Sequence, residues 1–121
     1  MFKRVCIIGC GLIGSSIARG IKKNKLATKV VSSNRSNSTN KKVIRLKIVD
    51  EASSDTKKIV KGSDLIIIAS PLSSYKNKIL KIKCSLKNGA ILTDVGSVKK
   101  NVISLIEKNI PKIYLGFHHI L

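Results

Sequence analysis

The sequence predicts an α/β domain built on a doubly wound, mostly parallel sheet, and three observations predict it. Short apolar runs, Val5–Ile8 and Leu65–Ala69, contain no polar break, as strands buried on both faces require. Helical stretches separate the successive strands, and connections of that length make right-handed parallel crossovers. The first strand runs directly into Gly9, Gly11 and Gly14, a G-x-G-x-x-G pattern at a strand-to-helix junction. The expected product is one domain over residues 1–121, a dinucleotide-binding Rossmann fold with strand order 3-2-1-4-5-6.

Each element can be justified in order. After Val5–Ile8, Ile13, Ile17 and Ile21 recur every four residues, so a helix opens inside the glycine motif and ends at Lys22-Lys23-Asn24-Lys25. Thr28–Ser33 is β-branched and short, a second strand. Asn40–Lys47 reads as a weak helix and Ile48–Glu51 as a small edge strand. Asp55–Lys61 makes one or two helical turns closed by Gly62. Leu65–Ala69 is the fourth strand, and Pro71 suits the first turn of a helix over Leu72–Lys83, with Tyr75, Ile79 and Ile82 inward. Lys87-Asn88-Gly89 turns into a fifth strand, Ala90–Thr93. Ser97 then N-caps a helix over Val98–Lys108, Pro111 ends it, and Lys112–Leu115 is a sixth strand.

Composition narrows the function classes. With 43% hydrophobic residues the 121-residue chain is expected to fold, and no apolar run approaches the roughly 20 residues of a membrane span. The N-terminal apolar stretch is broken at once by glycines, so it does not read as a signal peptide, and a cytoplasmic protein is expected. Cys6, Cys10 and Cys84 form no C-x-x-C pair and no ligand cluster with the two histidines, which points to reduced thiols and no metal. Net charge is +18, but the lysines are scattered and aromatics are only 3%, with no stacking platform; nucleic acid is disfavoured as a partner. The charge would help draw in an anionic cofactor and substrate.

In such a sheet ligands bind outside the carboxyl ends of the strands. There Gly9 allows the tight turn, Gly11 lets a pyrophosphate approach the backbone, and Gly14 lets helix and strand pack closely. Twenty residues beyond Gly14, where an acid usually holds the ribose 2′-OH, stand Asn34-Arg35-Ser36. Asn34 can hydrogen-bond a ribose, and the Arg35 fork suits a 2′-phosphate, with Lys41 and Lys42 adding charge. That favours NADP over NAD; the plainer reading is a solvated turn with asparagines as loop and cap residues. His118 is the credible acid–base group at a strand end, while His119 fits a surface role. Ser97 fits either a helix cap or a group facing the nicotinamide, and Asp94 either orients its loop or neutralises Lys99.

Several of these segments together resemble one family. Gly9-Cys10-Gly11-Leu12-Ile13-Gly14-Ser15-Ser16, Asp64-Leu65-Ile66, Ala69-Ser70-Pro71 and above all Thr93-Asp94-Val95-Gly96-Ser97-Val98-Lys99 resemble prephenate dehydrogenase, at the spacing of that family and across essentially the whole chain. The resemblance implies oxidative decarboxylation of prephenate, or of arogenate, in tyrosine biosynthesis. His118 would accept the proton of the ring hydroxyl, and Ser97 would hydrogen-bond that hydroxyl and orient His118. The loop from Gly9 to Gly14, the turn Asn34-Arg35-Ser36 and the segment Ala69-Ser70-Pro71 would hold NADP, or NAD. Two departures stand out: His119 replaces the family's proline, and the chain stops at Leu121, before the helical domain that carries dimer contacts and carboxylate-binding arginines. Little turnover is therefore expected, and the alternative is a non-catalytic NAD(P)-binding module or the remnant of a split gene.

Overall fold

The computed structural model describes residues 2–69, 82 and 85–94. Five strands, β1 (Phe2–Ile8), β2 (Ala27–Ser33), β3 (Glu51–Ser53), β4 (Leu65–Ile68) and β5 (Ile91–Asp94), form one sheet in the order β3-β2-β1-β4-β5. Every pairing is parallel, with Val5 level with Val30 on one side and with Leu65 on the other. This is the Rossmann arrangement expected; the predicted sixth strand, Lys112–Leu115, lies outside the described residues.

Strand alternation divides the core in two. Val5, Ile7, Leu65, Ile67 and Ile91 face one side, where α1 (Leu12–Lys23) supplies Ile17, Ala18 and Ile21, and α2 (Asn37–Arg45) supplies Val43. Cys6, Ile8, Ile66, Ile68 and Leu92 face the other, covered by Ile59 and Val60 of α3 (Thr56–Val60) and by Ile82. Both faces of Val5–Ile8 in β1 and of β4 are buried, which is why these stretches are unbroken apolar runs. Ile82 is helical and fully buried, as its inward placement predicts; the rest of the predicted helix over 72–83 lies outside the described residues.

Several boundaries differ from the sequence reading, most by a residue or two. The edge strand is Glu51–Ser53, not Ile48–Glu51, because Ile48 and Val49 close the end of α2 instead. Lys47 takes φ 58°, its N–H reaches Ile44 O at 3.0 Å, and Ile48 N–H reaches Val43 O at 2.9 Å, the paired bonds of a Schellman cap. Helix α1 ends the same way: Lys25 has φ 53° and Leu26 N–H bonds Ile21 O at 3.0 Å. Helix α2 starts at Asn37, three residues before the predicted start, because its first turn is polar and carries no periodic signal. The first strand likewise begins at Phe2. Asp55 caps α3, its side chain accepting from Lys58 N–H, and Gly62 follows with φ 77°.

The amino edge of the sheet is tied by Asp64. Its carboxylate accepts from Lys3 N–H at 2.5 Å and Arg4 N–H at 3.3 Å and pairs with Lys87. Partial burial alone would raise its pKa, but Lys87 and the two N–H groups outweigh that and hold it below the usual carboxylate range. No helix among the described residues is long and apolar enough to cross a membrane.

Candidate functional site

The sheet reverses its winding between β1 and β4, and at their carboxyl ends the glycine loop meets Ala69. Each glycine has a different physical basis. Gly9 takes φ 92°, a left-handed conformation that a side chain resists. A Cβ on Gly14 would lie 2.3 Å from Gly9 O and 3.2 Å from the Ala69 side chain, so its absence sets how closely α1 approaches β1. Gly11 has neither reason: its φ is −76° and a Cβ there would meet nothing within 4 Å among the described residues. The space in front of Gly11 is open, at the start of a helix with no acidic residue in its first turn and no side-chain cap.

The loop is pinned to the end of β2. Gly9 N–H donates to Ser33 O at 2.8 Å, and Cys10 N–H donates to Asn34 Oδ1 at 2.5 Å. Cys10 O accepts from Ser15 Oγ at 3.1 Å. The Cys10 thiol is pushed up by burial, with Ser32 and Ser15 hydrogen bonds opposing. Cys6, deeper in β1, is pushed up to about 12 by burial; neither thiol is poised as a nucleophile.

Gly9, Cys10, Gly11 and Leu12 share a cleft of about 720 Å³ with Asn34, Arg35, Ser36 and Ala69. Sequence segments far apart are thus brought together as expected. Gly14 is buried beneath this loop and Ile13 is 45% exposed on the first turn of α1. Ser70, Pro71, Ser97 and His118 lie outside the described residues. Asp94 ends β5 level with Ile68, at the same carboxyl edge.

Some lining residues were not singled out from the sequence. Arg19 reaches the cleft from α1, one turn after Ser15, and the four-residue spacing that places both on one helix face is the signal that could have found it. Val43, Leu46 and Ile48 give the cleft an apolar wall, which accounts for Leu46 remaining 48% exposed. Among the described lining residues there are three cations, Arg19, Arg35 and Lys42, and no carboxylate.

A family model described as the nucleotide-binding domain of prephenate dehydrogenase matches residues 17–121. The chain belongs to this family. Among curated proteins, prephenate dehydrogenase of Lactococcus lactis is 35% identical over 104 residues, 85% of this chain and 29% of that protein. Cyclohexadienyl dehydrogenase of Zymomonas mobilis is 32% identical over 111 residues, 92% of this chain and 38% of that protein. The chain therefore spans about a third of the length of these prephenate dehydrogenase relatives. The fold is shared with the A. aeolicus prephenate dehydrogenase crystallised with hydroxyphenyl propionate and NAD+, at TM-score 0.72 and 22% identity over 78% of this chain and 33% of that one. Synechocystis arogenate dehydrogenase aligns at TM-score 0.71 and 24% identity over 88% of this chain and 38% of that one.

Proposed function

We propose that this chain is the cofactor-binding part of a cytoplasmic NAD(P)-dependent dehydrogenase that oxidatively decarboxylates prephenate or arogenate for tyrosine biosynthesis. The observation that carries the cofactor reading is the open space at Gly11: among the described residues nothing in the packing or backbone requires glycine there. A pyrophosphate approaching the helix start does require it. The cleft residues fit the group: Gly9–Leu12 would hold the phosphates, and Arg35 and Ser36, which line the same cleft, would hold the adenosine ribose. Bound nicotinamide would supply the hydride acceptor. His118 would take the ring hydroxyl proton, and Ser97 would hydrogen-bond that hydroxyl and orient the imidazole.

The charged side chains among the described lining residues are all cationic, which supports NADP over NAD, since a 2′-phosphate there would meet basic side chains and no acid. Free, buried Cys6 and Cys10 suit a reducing compartment. The test is fluorescence titration of the wild-type chain and a Gly11→Ala variant with NADPH and NADH. Gly11→Ala should keep its stability, because the added methyl meets open space, and lose roughly tenfold or more in affinity for both. Undiminished affinity would remove the pyrophosphate from this loop.

A further inference from the structure

Asn34 occupies the position where dinucleotide folds commonly place a ribose-binding acid. Its side chain is turned inward and the residue is only 6% exposed. The amide orientation is forced, because Cys10 N–H can only donate and therefore faces Oδ1, at 2.5 Å. Nδ2 then points at two acceptors, Ser32 Oγ at 3.0 Å and Asn40 Oδ1 at 2.9 Å. Asn40, in α2, is itself 6% exposed, and its Nδ2 returns to Asn34 O at 3.4 Å. An aspartate at 34 would set an acceptor against Asn40 Oδ1, so the amide is the side chain that satisfies both neighbours.

We propose that Asn34 and Asn40 are positioning residues: together they clamp the Cys10 N–H and so hold the phosphate-facing loop in its binding shape, leaving recognition of the 2′ position to Arg35. This rests on the cofactor reading above. Asn40 carries the distinction, because it is buried in α2 and bonds to Asn34 from behind the turn. An effect of Asn40 on cofactor affinity is therefore transmitted through Asn34.

The experiment measures NADPH and NADH affinities by fluorescence for wild type, Asn34→Ala, Asn40→Ala, the double variant and Asn40→Asp, with hydrogen exchange of the Cys10 amide in each. Asn34→Ala is expected to weaken both dinucleotides roughly tenfold with their ratio held within about twofold, since a Cys10 N–H left without its acceptor no longer holds the loop in its binding shape. Asn40→Ala should weaken both by a smaller factor, and the double variant should be no weaker than Asn34→Ala alone. Asn40→Asp keeps an acceptor for Asn34 Nδ2 but loses the donor to Asn34 O and sets a second acceptor against it, so it should recover only part of the loss. Cys10 amide exchange should quicken most in Asn34→Ala, less in Asn40→Ala and least in Asn40→Asp, an order that a general loss of stability would not produce. A ratio that shifts more than about fivefold in Asn34→Ala would make Asn34 a direct ribose ligand and overturn the clamp. Unchanged Cys10 exchange would overturn it as well. If wild type binds neither dinucleotide, the cofactor reading falls and the clamp with it; binding of both with a shifted ratio defeats the clamp alone.

Discussion

Glycines 14 and 20 stand in one helix and invite the same substitution with opposite results. An alanine at 14 places its Cβ 2.3 Å from the carbonyl oxygen of Gly9, and it must retreat by about 1 Å to reach the 3.4 Å of ordinary contact. Little around it can yield. Gly9 is tied through its N–H to Ser33 O, and α1 is seated by the buried side chains of Ile17, Ala18 and Ile21. Moving the helix loosens these contacts, and overpacking of this kind costs about 1–3 kcal/mol, against at most about 1 kcal/mol regained from helix propensity. Gly14→Ala should therefore lose about 2 kcal/mol, a midpoint lower by roughly 8 °C for a chain of this size. At Gly20 a Cβ meets nothing within 4 Å and the backbone is helical, so Gly20→Ala should gain about 0.5–1 kcal/mol. Urea unfolding followed by circular dichroism measures both. A Gly14→Ala protein as stable as wild type would refute the close-approach argument, and an equal loss at Gly20 would show that helix packing is not what separates them.

The remaining expectations concern cofactor choice, acid stability and helix ends. NADPH should bind more tightly than NADH, and Arg35→Ala should narrow that gap by about tenfold, the worth of one charge-assisted phosphate contact; an unchanged ratio would take Arg35 out of the 2′ site. Asp64 has a folded pKa below its ordinary 3.8, so its contribution is complete above that value and is lost as pH falls through the folded one. Asp64→Asn should cost about 1 kcal/mol at neutral pH after solvent screening, and stability profiles of variant and wild type should converge once pH falls through the folded pKa of Asp64; parallel profiles would exclude Asp64 as a source of acid sensitivity. Lys25→Gly should add about 0.5–1 kcal/mol by relieving a left-handed residue at the α1 cap, and a fall in the unfolding midpoint would contradict that account of the cap.

Much of this molecule was determined by sequence alone, for local reasons. Strands β1 and β4 are legible because burial on both faces demands unbroken apolar runs, and the glycine motif marks the turn because backbone geometry permits few alternatives there. The strand order 3-2-1-4-5-6, expected of a dinucleotide-binding sheet, agrees over the five described strands. What sequence could not determine lies where a residue's role depends on partners distant in the chain. Ile48 and Val49 look like a strand but close a helix, because Lys47 accepts a conformation that composition assigns to glycine. Arg19 joins Arg35 and Lys42 in one cleft only once α1 and α2 lie on the same face of the sheet. Asn34 is the sharpest case: its position in the chain points to a ribose, yet its side chain faces Cys10 and Asn40. A side-chain amide is satisfied by whichever donors and acceptors surround it, and only the tertiary structure supplies them.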